Sequence, residues 1–261
     1  MSVKYPDVAL VIQGPLSGWT TENFTPHIPY YKTLFGEIIL STYTEQLTDE
    51  MLRFCDDNNI KVVHQTQDVG KFKFKYNLGY QTLSTLLGLK AVTKKYTIKH
   101  RTDERYSNLH KLVELFLQDD NKWVSGTTVF RPKSSALPGL GNPVYHAADH
   151  LFIAKTEKLL KTFQLTKDNI DQGIMVVDSN NEPCAEVTLC TNFVKISGDD
   201  PTVENYDTLM PKYFNVLNDA NFYPFVIKFN HDNGVGSTYT EPHHGFYVSK
   251  HINSMFDVLN T

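Results

Sequence analysis

The sequence predicts an α/β fold with a mostly parallel central sheet flanked by helices. Three observations carry that prediction. Val8-Ala-Leu-Val-Ile12 is a continuous apolar run that stops at Gly14-Pro15, as a buried parallel strand does. Glu37-Ile-Ile-Leu40 and Ile60-Lys-Val-Val63 read as two further strands. Between these two lies Thr48-Asp-Glu-Met-Leu-Arg-Phe-Cys, a helix that Thr48 can cap, with Asp49 and Glu50 at the positive end of its dipole. Strand, helix, strand at this spacing means βαβ units.

The remaining elements follow along the chain. Residues 76–95 form the longest helix candidate. Tyr80, Leu83, Leu87 and Ala91 share one face, and Asn77, Gln81, Ser84 and Gly88 share a polar or small one. Tyr96 to Arg101 is the next strand. Ser107 is placed to cap a helix whose apolar positions are Leu109, Leu112, Val113 and Phe116. Trp123 to Phe130 reads as a strand. Residues 131–143 form a Pro/Gly loop of a length that is often functional. His150 to Ala154 is a short strand, and Thr156 is expected to cap the helix after it. Pro183 to Val194 suits a helix with proline in its first turn. Phe222 to Phe229 is a late strand, followed by a polar loop containing His231, His243 and His244.

Bulk properties bound the function. The chain has 261 residues, 41% hydrophobic and 21% charged, enough for one large domain with a substantial core. The expected division is a Rossmann-like nucleotide-binding half over 1–106 and an acceptor half over 107–261 that includes a C-terminal extension. The net charge of −4 leaves no basic footprint for nucleic acid. Three scattered cysteines, Cys55, Cys184 and Cys190, match neither a disulfide framework nor a zinc knuckle. They point to a reducing compartment, the cytoplasm, with peripheral membrane contact left open. The opening residues read as a strand rather than a signal peptide. No run reaches the ~20 apolar residues of a membrane helix.

Several stretches carry candidate chemistry. In open α/β sheets ligands bind beyond the carboxyl ends of strands. Gln13, Gly14 and Pro15 occupy that position after the first strand, where a nucleotide base or a plain Gly-Pro turn are the alternatives. The loop has neither the P-loop nor the dinucleotide glycine pattern. Lys71-Phe-Lys-Phe-Lys75 puts three ammonium groups on one side of an extended segment, just before a helix start that favours anions. Lys71, Lys75 and Asn77 would suit a diphosphate; solvated surface lysines are the alternative. Arg101, Asp103 and Glu104 close the strand Tyr96–Arg101 as a knot of charge. A hard divalent cation takes one or two carboxylates plus phosphate oxygens, so Asp103 and Glu104 are candidate ligands and Arg101 a phosphate partner. A surface ion-pair cluster is the alternative. In His146-Ala-Ala-Asp-His150, Asp149 can act as a general base, a histidine equally well, and a cap by Asp149 is the structural alternative. The late histidines, His231, His243 and His244, could supply a metal ligand or close the site as a lid, although they lack a zinc-binding spacing; ordinary loop histidines are the alternative.

Val11-Ile-Gln-Gly-Pro-Leu16, Asn77-x-x-x-Gln81-x-x-Ser84-Thr85-x-x-Gly88-Leu89 and Ile98-Lys-x-Arg101-Thr-Asp103 together resemble the WavE lipopolysaccharide-synthesis family. The likeness runs from Val8 to Phe152 and more loosely to Phe193. It implies a GT-A-like glycosyltransferase of polysaccharide biosynthesis. The implied partners are a nucleotide-sugar donor, UDP favoured, and a glycan or glycoconjugate acceptor. Gln81 joins the donor contacts on this reading. A Mn²⁺ or Mg²⁺ ion would sit on a D-x-D motif, of which only Asp103 matches, since Arg101 or Thr102 stands for the first acid. Ala148-Asp-His-Leu-Phe-Ile-Ala154 resembles the family's D-x-x-F-x-G stretch, with Ala154 in place of glycine. Asp149 would deprotonate the acceptor in an inverting displacement. Two other functions are alternatives: a metal-dependent phosphohydrolase of a nucleotide or sugar phosphate, using Asp103 and the late histidines, and a degenerate transferase that only binds glycans or a partner, which the incomplete D-x-D leaves open.

Overall fold

The computed structural model describes residues 2–16, 27–66, 78–102, 104–106, 108–126, 130–131, 145–174, 185–202, 204–216, 224–229 and 236–239. The elements begin with β1 (Tyr5–Gln13), α1 (Ile28–Leu34), β2 (Phe35–Tyr43), a 3-10 turn (Thr44–Gln46), α2 (Asp49–Asp57), β3 (Lys61–Gln65) and α3 (Leu78–Ala91). Next come β4 (Tyr96–Arg101), β5 (Glu104–Tyr106), α4 (Leu109–Phe116), β6 (Trp123–Ser125), β7 (Phe130–Arg131), β8 (His146–Ala147) and β9 (Phe152–Lys155). The chain continues through α5 (Thr156–Asp171), α6 (Ala185–Ile196), α7 (Tyr206–Tyr213), β10 (Phe214–Val216), β11 (Pro224–Phe229) and β12 (Gly236–Tyr239).

Seven strands form the main sheet in the order β10-β6-β9-β4-β1-β2-β3. Every pairing is parallel except those of β9, which runs antiparallel to β4 and β6. The mostly parallel α/β architecture expected from the sequence is therefore present. Helices cover both faces. Val8, Leu10 and Ile12 of β1 pack with Ile28, Tyr31, Met51, Leu112 and Phe116 on the α1, α2 and α4 side. Leu86, Leu89, Phe163, Phe193 and Met210, from α3, α5, α6 and α7, enclose Trp123 and Phe152 on the other. Trp123 and Phe152 stack with ring centroids 3.7 Å apart.

Thr48 caps α2 as expected, accepting the Met51 N–H at 3.3 Å. All four apolar positions of α4 are buried. In α3 the buried face combines small and polar residues with leucines: Thr82, Ser84, Thr85 and Gly88 are buried along with Leu86 and Leu89, whereas Tyr80, Leu83, Leu87 and Ala91 are only half-buried. The reason is close approach. A Cβ at Gly88 would lie 2.5 Å from Val11 Cγ1 and 3.1 Å from Ser41 Cβ. Gly88→Ala is therefore expected to cost about 1–2 kcal/mol net in a urea titration, overpacking outweighing the helix-propensity gain of about 1 kcal/mol.

The helix expected after Ser107 starts at Leu109, preceded by Asn108 in the left-handed region (φ 64°). Ser107 itself lies outside the described residues. The strand expected over Trp123 to Phe130 ends at Ser125. Thr156 opens α5 as its first helical residue rather than capping it, and its Oγ1 donates to the Lys94 carbonyl at 2.8 Å. The strand expected from His150 starts at Phe152; of that expected over Phe222 to Phe229, Pro224–Phe229 is a strand and residues 222–223 lie outside the described residues. Pro183, most of the Pro/Gly loop and His231, His243 and His244 lie outside the described residues.

Candidate functional site

The parallel register sets the site. Gln13 pairs with Ser41 of β2 on one side and Arg101 of β4 on the other, so the carboxyl ends of three adjacent strands lie level. The chain then turns at Gly14, whose φ of +128° only glycine adopts without strain. A Cβ there would also meet Thr102 Oγ1 at 2.9 Å. Thr42 Oγ1 donates to the Gly14 carbonyl at 2.9 Å and Thr102 Oγ1 to the Pro15 carbonyl at 2.7 Å. The Gly-Pro turn and the start of the charged segment are thus tied to each other.

The alternation of β4 sends Lys99 and Arg101 to the α3 side and His100 to the opposite side. His100 Nε2 lies 3.4 Å from Tyr31 Oη in the first core. Lys99 is wholly buried, and its ammonium donates to the Asp149 carbonyl over the Phe152 ring. Asp149 itself is 4% exposed. Its Oδ2 accepts from Gln81 Nε2 of α3 at 2.6 Å. Burial would raise the Asp149 pKa. The facing charges of Lys99 and His150, with the Gln81 hydrogen bond, outweigh it and hold the carboxyl below its ordinary value.

Beyond β4, the short strand β5 leaves the main sheet and pairs antiparallel with β11, Glu104 opposite Val226. Glu104 is fully buried. Its Oε1 meets His150 Nδ1 at 2.5 Å and Arg101 Nε at 3.5 Å, and its Oε2 accepts from the Tyr106 hydroxyl. Burial works against the Glu104 charge, but His150 and then Arg101 outweigh it and keep the carboxylate well below the usual range. Burial likewise pushes His150 down, and Glu104 reverses the sign and raises it.

The expected site residues divide accordingly. Gln13, Gly14, Pro15, Gln81, Arg101, Glu104 and Asp149 converge on one sheet edge. Lys71, Lys75, Asn77 and Asp103 lie outside the described residues. Gln13 is buried, its Oε1 taking the Ser84 hydroxyl at 2.6 Å. Glu104 departs from the expected role of metal ligand, because both its oxygens face internal partners. Asp149 is not a helix cap but a buried carboxylate between Gln81 and Lys99. Among the described residues no group of three His, Cys, Asp or Glu side chains is arranged to hold a metal ion. Lys99, the cation behind Asp149, is a site residue that local sequence pattern does not single out. A lysine between Ile98 and His100 in an otherwise interior strand was the available signal.

Comparison with known proteins adds a family. A profile described as WavE lipopolysaccharide synthesis matches residues 8–170, a span containing every described site residue above. No curated protein matches the sequence. Among solved structures, residues 1–349 of S. aureus TarS in complex with UDP-GlcNAc align at 15% identity over 93% of this chain and 64% of that one, with a TM-score of 0.46. A cytidylyltransferase from Leptospira borgpetersenii aligns at 11% identity over 82% and 76%, TM-score 0.42. Glucosyl-3-phosphoglycerate synthase from Mycobacterium tuberculosis, solved with Mn²⁺, UDP and phosphoglyceric acid, aligns at 13% over 64% and 65%, TM-score 0.38. The chain spans less than two thirds of the TarS and synthase chains.

Proposed function

The chain belongs to the WavE lipopolysaccharide synthesis family, and on that premise we propose that it is a glycosyltransferase moving a sugar from a nucleotide-sugar donor to a glycan or glycoconjugate acceptor. The observation that carries the proposal is the convergence of Arg101, Asp149 and His150 at the carboxyl edge of β4, beside the Gly14 turn of β1, within the matched span. A buried, ionised carboxylate beside cationic groups is what a displacement with a departing diphosphate requires. The acceptor hydroxyl gives its proton to Asp149 as its oxygen bonds the anomeric carbon. The bond from that carbon to the diphosphate breaks on the opposite side, which inverts the centre. Arg101, with Lys71 and Lys75, neutralises the leaving nucleoside diphosphate.

A Mn²⁺ or Mg²⁺ ion would supply the same neutralisation. With the Glu104 oxygens engaged by His150 and Tyr106, the coordination this requires is Asp103 plus the donor's own phosphate oxygens. The proposed setting is the cytoplasm, in keeping with Cys55 and Cys190 as free thiols. Among the described residues no helix is long and apolar enough to cross a membrane.

A thermal-shift screen of nucleoside diphosphates and nucleotide sugars, with and without Mn²⁺, tests the proposal. A ligand at about 100 times its Kd adds about 2.7 kcal/mol to the folded state, so a specific donor stands out, UDP-sugars being expected first. Asp103→Asn is expected to remove the Mn²⁺-dependent part of the shift. A screen in which no nucleotide stabilises the chain would remove the transferase reading.

A further inference from the structure

Asp149 and His150 are adjacent in sequence but differ in how the fold commits their atoms. Asp149 Oδ2 is taken by Gln81. His150 Nδ1 is taken by Glu104, a fully buried residue whose other oxygen is taken by Tyr106. A carboxylate only accepts, so the Glu104 contact makes Nδ1 a donor and sets the plane of the ring. The atoms left over are Asp149 Oδ1 and His150 Nε2, which lie 3.9 Å apart. That is too long for a hydrogen bond, yet a single oxygen beside the line joining them can sit at hydrogen-bond distance from both. The His150 side chain is 28% exposed and that of Asp149 5%, so of the two partners the imidazole is the one in contact with solvent.

We propose that Asp149 Oδ1 and His150 Nε2 form the acceptor subsite, a two-point seat for one substrate hydroxyl, with Glu104 as the positioning residue that aims His150. The ligand class is a hydroxyl-bearing acceptor, and the inference rests on the transferase reading above. In that seat the hydroxyl proton passes to Asp149 Oδ1 while Nε2 holds the oxygen in line with the anomeric carbon. Glu104 acts from outside the reaction. Its strand, β5, pairs with β11, more than a hundred residues later in the chain, so β11 contributes to the geometry of the seat.

Water is the smallest hydroxyl that fits the gap, so slow hydrolysis of the nucleotide sugar selected by the screen reads the subsite with no acceptor identified. In the full chain, His150→Gln is expected to lower hydrolysis roughly 10- to 100-fold, the worth of one strong hydrogen bond, with the Kd for the nucleotide sugar unchanged. Glu104→Gln, whose amide oxygen still accepts from Nδ1, is expected to retain more activity than Glu104→Ala. Unchanged hydrolysis in His150→Gln would overturn the proposal. So would a rise in Kd that accounts for the whole rate loss, which would move His150 to the donor. Binding without hydrolysis by the wild type would equally count against a seat for an attacking hydroxyl. If no nucleotide sugar binds at all, the transferase reading fails instead. The aiming of His150 is still decided by NMR: a slowly exchanging Nδ1–H signal is expected in the wild type and its loss in Glu104→Ala. Its absence from the wild type would refute the positioning role.

Discussion

Asp149→Asn is expected to lower sugar transfer by about 10²- to 10⁴-fold, the range for removal of a general base, while nucleotide binding is retained. The substitution is close to isosteric. The asparagine oxygen can still accept from Gln81 Nε2, and Lys99 keeps its bond to the backbone carbonyl of residue 149. What disappears is the atom that takes the proton. Burial would favour a protonated Asp149, but Lys99, His150 and Gln81 hold it below its ordinary value, so the native carboxylate is ionised at neutral pH. Its low basicity makes it a poor base towards a resting alcohol. The transfer therefore has to occur late, after bonding to the anomeric carbon has made the hydroxyl acidic, which is the order a direct displacement provides. Initial rates at saturating donor, with Kd from thermal-shift titration, separate the two effects. Full turnover in the variant would take the base role away from Asp149.

Legibility in the sequence tracked the range of the interactions. β1 and β2 were readable because each contains a run of local apolar residues whose burial needs no knowledge of partners, and β4 from the strand-forming Tyr96, Thr97 and Ile98 at its start. The spacing sorts α3 into two faces, but which of them is buried was not legible, for a physical reason. Hydrophobic periodicity ranks leucine above threonine, serine and glycine, but a helix that lies close on β1 and β2 has to present its smallest residues, and Gly88 against Val11 shows how little room there is. The sequence marked candidates only within short segments, Arg101 to Glu104 and His146 to His150, each visible as a local cluster of ionisable residues. The partnership of Glu104 with His150 spans 46 residues. The pairing of β5 with β11, Glu104 opposite Val226, spans more than a hundred. Neither leaves a periodic trace, so a charge knot that looked like a pair of metal ligands resolves into one acid turned inward, with its neighbour Asp103 left as the candidate for the ion.

Removing that inward acid has the largest expected effect on stability. Glu104→Ala is expected to cost about 3 kcal/mol, the low end for breaking a buried pair, because His150 still reaches water. Against a total of about 5–15 kcal/mol for a typical domain this is a large share. The loss would combine an unpaired imidazole, an Arg101 without its Glu104 partner and a buried Tyr106 hydroxyl without its acceptor. The pair also sets a pH window. Glu104 is depressed in the folded chain, so its contribution is present above the unfolded value of about 4.3 and is lost as pH falls through the lower folded value. His150 is raised, so its contribution is fully present below about 6.5 and is lost as pH rises through the higher folded value. Both describe one interaction and count once. It is strongest between about pH 4.3 and 6.5, where the carboxylate is charged and the imidazole protonated. Urea titrations from acid to alkaline pH should therefore show the gap between wild type and His150→Gln narrowing above neutrality. A gap independent of pH would mean that Glu104 and His150 meet as neutral hydrogen-bond partners, and the electrostatic account of the pair would have to be given up.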